Sequence, residues 1–414
     1  MTRERDFLRL WAAESISKAG DAVSMVAIPL TAILALDATP VEVGLLGAAQ
    51  LLPIVALGLP AGAWVDRISS RRRVMVAADV GRAVVMATVP LAWVAGVLTF
   101  GHLLVVVSVN AALGTFFDVA IASYLPMLVG RDRLVVSNSR MELSRSASLV
   151  LGPGAAGLVL RFVAAPIVLA MDALSFLASA LLIASSPGRE PSPTTPLPGL
   201  GDRGPLRREL LAGVRLALDE PHLRAITATA MTNNLSRSIG MVVAVLFLVR
   251  EAGVPADGVG LGFALGNSGF VVGALIASRV SRALGIGRAM RLSVRLFWPG
   301  MLLLGLAPAP LALAAFTVMV FMNGLGIAVH NVNQVSVRQA VTPDHMLARV
   351  AAAQRLLILG ALPAGTLIGG VLGTAIGLQN TLLVSAFGLF LGSIPYTVSR
   401  VRSLRTLPAE AVVA

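Results

Sequence analysis

The sequence predicts an all-α membrane protein of about twelve transmembrane helices in two pseudo-symmetric six-helix bundles, and three observations carry that reading. Of its 414 residues, 56% are hydrophobic and only 13% charged, with 40 glycines, a balance unsuited to a soluble globule. The apolar residues fall in runs long enough to cross a hydrocarbon core, which needs roughly 20 residues per helix. Near the middle, SSPGREPSPTTPLPGLGDRG, from Ser185 to Gly204, is too rich in Pro and Gly for a helix or a core strand.

Taken in order, the apolar runs place spans at 7–36, 41–65, 73–98, 101–129, 138–161 and 163–185, then at 221–250, 257–279, 288–307, 309–339, 347–377 and 378–400. The first run is too long for a signal peptide and holds Glu14, Lys18 and Asp21, so no cleaved leader is expected. Residues 1–185 make the N-terminal bundle, 186–220 a linker and 221–414 the C-terminal bundle. Within the linker, Leu206 to Asp219 sets Leu210, Leu211, Val214 and Leu218 on one face with Arg208 and Arg215 off it, the pattern of a helix lying along a membrane surface.

The formal charge of +12 is unevenly spread. Arg3, Arg5 and Arg9, the Arg67 to Arg73 cluster, Arg131, Arg133, Arg207, Arg208, Arg279, Arg282, Arg288, Arg291, Arg349, Arg400, Arg402 and Arg405 share one side, against Arg161 and Arg250 on the other. The arginine-rich side is therefore cytoplasmic, and both termini face it. Arginines in short interhelical loops, without interleaved aromatics, do not make a nucleic-acid surface. The absence of cysteine excludes disulfides and thiol catalysis, and four histidines without close pairing argue against zinc. No metal and no cofactor is expected.

The segment GAWVDRISSRRRVMVAADVGRA, Gly62 to Ala83, reads as a cytoplasmic loop between two spans. Gly62 would let two helices approach closely, Asp66 would end the second helix, and Arg67, Arg71, Arg72 and Arg73 would hold the loop at the anionic inner leaflet. It resembles the signature loop of the major facilitator superfamily. That family usually places a glycine three residues after the acid and basic residues directly after it; here Ser69 and Ser70 intervene before Arg71. The two halves also look like distant copies, as in SYLPMLVGRDRLVVSNSRMELSRSASLVLGPGAAGLVL and SVRQAVTPDHMLARVAAAQRLLILGALPAGTLIGGVL. In the second half the loop becomes GALIASRVSRALGIGR, keeping Gly273 and placing Ala277 where the acid would sit.

Nearly the whole chain is thus similar to a major facilitator transporter. The Asp21 region, FFDVAIASYLPMLV, NSRMELSRSAS and the Arg338 to Gly370 segment look most like bacterial exporters of the enterobactin-exporter and macrolide-efflux type. The resemblance implies the major facilitator fold and alternating access, with two bundles rocking about a central site. It also implies export of an amphipathic small organic molecule, a drug or natural product, across the inner membrane against proton entry. A siderophore or biosynthetic metabolite is the alternative cargo. A membrane enzyme would need converging catalytic groups that the scattered histidines do not supply, and a channel is disfavoured by few inward-facing charges and by the repeat. The chain is expected to act as a monomer in the lipid bilayer.

Ionisable residues at bilayer depth mark the candidate site. Glu14, Lys18 and Asp21 are four and three residues apart and share one helix face, and Lys18 is the only lysine in the chain. Asp21 reads as a proton-binding group tuned by Lys18 and Glu14, or as part of a neutralised helix contact. Asp79 and Arg82, one turn apart, read as a structural pair with gating as the alternative, and Asp118 as a proton relay or a packing residue. Glu142 and Arg145 share a face ahead of Leu151-Gly152-Pro153-Gly154, which resembles the Gly-Pro antiporter motif of drug exporters; a kinked, close-packed helix is the plainer reading.

Helix four offers Asn110 where drug–proton antiporters usually carry arginine. In the second half the polar inventory is mostly amide: Asn233, Asn234, Asn267, Asn323, Asn331 and Asn333, with Arg237, Arg295 and His330. Asn233, Arg237, Asn267, Asn323 and Asn331 are the candidate substrate contacts, although such amides also bond across helices. Phe116, Phe117, Phe263, Phe270, Phe297 and Trp298 could floor an apolar pocket or face lipid and core.

Overall fold

The computed structural model describes residues 2–65, 67–68, 70–186 and 206–406. These form helices α1 (Thr2–Leu30), α2 (Pro40–Val65), α3 (Arg71–Val94), α4 (Phe100–Val129), α5 (Leu134–Leu160), α6 (Ala165–Ala184), α7 (Leu206–Asp219) and α8 (Pro221–Leu246). There follow α9 (Ala256–Leu284), α10 (Ile286–Arg295), α11 (Phe297–Leu306), α12 (Ala312–Val341), α13 (Leu347–Ala375), α14 (Leu378–Gly392) and α15 (Ile394–Val398). Among the described residues there is no strand. Twelve segments among them are long and apolar enough to cross a membrane.

Local chemistry sets the helix limits. Thr39 and Glu42 form a reciprocal cap at the start of α2, with Thr39 N donating to Glu42 Oε2 at 2.7 Å and Glu42 N to Thr39 Oγ1 at 3.3 Å. The Thr99 hydroxyl accepts from His102 N at 3.2 Å ahead of α4, and Glu220 caps α8 through Leu223 N at 2.6 Å, with Pro221 in the first turn. Prolines divide two of the spans. Pro299 has no N–H to give the Arg295 carbonyl and its ring crowds that group, so the span Ile286–Leu306 breaks into α10 and α11. Pro395 does the same to the span Leu378–Val398 between α14 and α15.

Several boundaries differ from the sequence reading. Helix α5 starts at Leu134 rather than near 138, directly after a single tight turn at Arg131–Arg133. Helix α9 continues past 279 to Leu284, because Arg279 and Arg282 are tolerated at a helix end and the chain turns only at Gly285, whose φ is 81°. Helix α7 packs through its small residues. Its packing stripe is Gly213 and Ala217, with Gly213 against the Arg349 carbonyl and the Ala353 methyl of α13, while Leu211 and Leu218 turn outward. Small residues let the two backbones approach, leaving the leucines for an apolar surrounding.

The repeat is visible in the way α1 and α8 end. Each passes into a wider π turn, Thr31–Ala35 and Phe247–Glu251, and each closes with a matching bond, Ala38 N to Ala32 O at 2.9 Å and Val254 N to Leu248 O at 2.8 Å. The reversal uses positive φ in both, 49° at Asp37 and 66° at Gly253.

The chain divides into two compact units, Met1–Pro196 with Pro255–Ala264, and Leu197–Val254 with Leu265–Ala414. The first turns of α9 thus group with the first unit. In that unit α6 packs on α1 and α3, and α4 on α2 and α3. One part of its core joins Phe7, Leu10, Val65, Met75, Phe117, Tyr124 and Ile183. In the second unit α8 packs on α13 and α14, α11 on α12 and α14, and α7 on α13. Outward side chains such as Leu91, Val94, Leu174, Leu275 and Phe387 are more than half exposed, as hydrocarbon-facing residues are.

Candidate functional site

The first unit brings charges from α1, α3, α4 and α6 into one cluster. Arg82, on α3, is its centre. The guanidinium donates to Asp21 Oδ1 at 2.5 Å and to Asn110 Oδ1 at 3.1 Å, lies 3.6 Å from Asp79 Oδ1, and stacks over the Phe176 ring at 3.7 Å. Planar donors and an aromatic face suit arginine and not lysine. Lys18 bridges the other side, 3.4 Å from Asp21 Oδ2 and 3.2 Å from Asp118 Oδ1.

Asp21 therefore stands between two cations. The helix spacing that aligned Lys18 with Asp21 is realised, and α4 adds the exposed Asp118 to the far end of Lys18. Asp79 is fully buried and lies beside Ser179 as well as Arg82. The reading of Asp79 and Arg82 as a simple one-turn pair is incomplete: the closer carboxylate on Arg82 is Asp21, from another helix. Asn110, which stands where an arginine was expected on α4, receives one from α3 instead.

Asp172 is the member that sequence reasoning missed. It is fully buried on α6 and accepts hydrogen bonds from Ser24 of α1 and, at 3.2 Å, from Ser175. Its signal was available, since it is the lone acid in the otherwise apolar run APIVLAMDALSFLASALLIA. The helices meet here because position 20 is glycine: a Cβ there would come within 2.8 Å of Ser175 Cβ and closer still to Asp172 Oδ1.

Asp21, Asp79, Asp118 and Asp172 all act electrostatically on Arg82, so four carboxylates share two cations, Arg82 and Lys18. A cluster with surplus carboxylate inside membrane-spanning helices can exchange protons or receive a cationic group as its partners shift.

The other candidates are distributed differently. Glu14, on the same helix face as Lys18, makes no hydrogen bond or ion pair with a described residue. Glu142 and Arg145 pair with each other through two bonds, 2.9 and 3.0 Å, and both are exposed. In the second unit Asn323 gives its amide to Met319 O at 2.8 Å, leaving its Oδ1, like that of buried Asn233, without a partner among the described residues. Arg237 has no hydrogen-bonding or ion-pair partner among them either, and Asn331 is exposed. By contrast Asn333 is consumed by Val329 O and Ser281 Oγ, and Asn234 by Ile358 O. Among the described residues no group of three or more His, Asp or Glu is arranged to hold a metal ion.

The loop after α2 is only partly in view, because Asp66 and Ser69 lie outside the described residues. Ser70 caps α3 by accepting from Arg73 N at 3.4 Å, which gives the departure from the family loop a local reason. Arg72 bonds the Ser186 carbonyl, and Arg9 the Ser185 carbonyl at 3.0 Å, so both hold the end of α6. Arg67 is exposed, and Arg71 is partly buried. Apart from its chain neighbours and the backbone of its own helix, no described atom lies within 4 Å of where a Gly62 Cβ would stand, whereas at Gly273 the Leu325 Cα lies only 2.8 Å away. The expected close approach is thus seen at the second-half glycine and not at Gly62.

Comparison with known proteins agrees with this architecture. The family model described as transmembrane secretion effector matches residues 2–412. The multidrug efflux pump Tap of Mycolicibacterium fortuitum is 28% identical over 423 residues, covering 97% of this chain and 98% of Tap. YfiS of Bacillus subtilis (strain 168), an uncharacterized MFS-type transporter, is 24% identical over 391 residues, covering 92% and 90%. Among solved structures, the nucleoside transporter NupG matches with a TM-score of 0.74 at 13% identity, over 95% of this chain and 98% of NupG. A bacterial homologue of the iron transporter ferroportin, inward-facing, gives 0.74 at 15% identity over the same shares. At such identities these structures establish the fold alone.

Proposed function

The chain belongs to the transmembrane secretion effector family of the major facilitator superfamily, and we propose that it exports an amphipathic small organic molecule by alternating access, driven by proton entry. It is a multi-pass membrane transporter and not an enzyme. The observation that carries the proposal is Asp21 held between Arg82 and Lys18 inside membrane-spanning helices. The similarity to Tap along nearly its full length supports efflux as the direction and an organic molecule as the cargo.

In this mechanism a proton arriving at Asp21 removes the charge that holds Arg82 and Lys18. Arg82 retains Asn110, Asp79 and the Phe176 face, and Lys18 retains Asp118, so neither cation is stranded. Loss of the proton restores the pair. Glu142 and Arg145 are retained as candidate coupling residues, and Gly62, Asp66, Arg67, Arg71 and Arg72 as the candidate switch loop. In the second unit Asn233 and Asn323, whose acceptors have no partner among the described residues, are assigned to substrate contact together with Arg237, Asn267 and Asn331.

The orientation proposed places the arginine-rich loops and both termini in the cytoplasm of a bacterial inner membrane. Uptake of amphipathic dyes and natural products into inverted vesicles, with an inward-acid pH gradient imposed and then collapsed, tests the whole reading. Accumulation that disappears with the gradient is expected; accumulation indifferent to it would remove the proton from the mechanism.

A further inference from the structure

The second unit contains a cavity of about 710 Å³ that the transport reading leaves unused. It is lined by Arg282 at the end of α9, Arg288 in the first turn of α10, and Arg402, Ser403, Arg405 and Thr406 beyond α15, with no acidic residue in its wall. None of the four arginines forms an ion pair with a described residue. Four like charges converging on one cavity repel one another unless an anion lies among them.

The wall is built by the backbone. Gly287 N donates to Leu404 O at 2.8 Å and Ile286 N to Arg405 O at 3.4 Å, so the segment after the last span is pinned to the start of α10. Within that segment Leu404 N bonds Val401 O at 3.2 Å, and Val401 is completely buried. These bonds occupy the N–H groups of Ile286 and Gly287, the first two of α10, and four guanidinium groups line the cavity beside them.

Position identifies the ligand chemistry. Arg282 closes one membrane-crossing helix, Arg288 opens the next, and Arg402 and Arg405 follow the last span, Leu378–Val398, so all four lie at one membrane–water boundary. That is the depth of lipid phosphates, and Leu284, 40% exposed, lines the same cavity as an apolar neighbour for a glycerol backbone. Planar guanidinium groups pair with phosphate oxygens through two parallel N–H bonds. We propose that this cavity binds a phosphate ester, supplied by the headgroup of an anionic phospholipid.

The test uses the purified full-length protein in a neutral detergent, following its thermal unfolding midpoint during titration with dioctanoyl phosphatidylglycerol, dioctanoyl phosphatidylcholine or inorganic phosphate. The expected result is a saturable rise with phosphatidylglycerol and little with phosphatidylcholine, whose phosphate charge is offset by choline. In Arg288→Gln/Arg402→Gln the half-saturating concentration should increase about tenfold or more, and in Arg288→Lys/Arg402→Lys by less, because charge is kept while the fork is lost. An arginine-dependent rise with inorganic phosphate as strong as with the lipid would support the phosphate site and assign it a soluble ligand. Equal responses to phosphatidylglycerol in wild type and the Gln double variant would overturn the proposal. Should the double variant fail to fold, the single Arg402→Gln exchange at an exposed position reads the same comparison.

Discussion

Arg82 Nη2 lies 2.5 Å from Asp21 Oδ1, an ion pair between α3 and α1 that joins residues 61 positions apart. The arginine is nearly buried, and the same guanidinium also meets Asn110, Asp79 and Phe176. A charge so enclosed depends on its partners, and in the mechanism proposed above this pair is where a proton acts on the packing of the first unit.

Replacing Asp21 by Asn should separate coupling from permeation. The amide has the shape of the protonated carboxyl but cannot release a proton, so Asp21→Asn should abolish gradient-driven uphill export and leave downhill exchange measurable in vesicles. Uphill export at the wild-type rate would exclude Asp21. Glu14→Gln should have the smaller effect, since Glu14 has no described ion-pair partner to release.

At Arg82 the conservative exchange should fail. Arg82→Lys keeps the charge but cannot bond Asp21 and Asn110 together while stacking on Phe176, and transport should fall about tenfold or more with the protein still folded. Arg82→Ala leaves buried Asp79 without its cation and should destabilise by about 3–5 kcal/mol, read as a lower unfolding midpoint in detergent. Wild-type transport in the lysine variant would reduce Arg82 to a point charge.

Gly20 should not tolerate a side chain. An added Cβ would meet Ser175 and Asp172, the carboxylate that Ser24 also bonds, so Gly20→Ala should cost about 1–3 kcal/mol through displacement of α1 from α6. Gly62→Ala, with open space at its Cβ, should lie within about 0.5 kcal/mol of wild type apart from its helix propensity. Equal loss of stability at both positions would show that the α1–α6 contact is less tight than its geometry.

Labelling can decide orientation directly, because the chain has no native cysteine. Ser70→Cys should react with impermeant maleimide only from the cytoplasmic side, at a cost of about 1 kcal/mol for its lost cap, and Val97→Cys, exposed between α3 and α4, only from outside. The opposite pattern would invert the topology and with it the assigned direction of transport.

The twelve spans, their order and the helix after the linker were legible in the sequence because each rests on neighbouring residues: an apolar run, a cap, a proline or a glycine turn. Lys18 and Asp21 were legible for the same reason, as neighbours on one helix face. The partners of those charges were not. Arg82 reaches Asp21, Lys18 reaches Asp118, and Asp172 reaches Ser24 only because α1 packs on α6, α3 on α6 and α3 on α4, and no local pattern states which faces meet. The same holds for α7: its leucine stripe is legible along the sequence, whereas the seating of Gly213 against α13 is not. Hydrophobic periodicity reports where a helix is apolar; inside a membrane both lipid and protein are apolar, so close packing of small residues and pairing of charges decide which face turns inward.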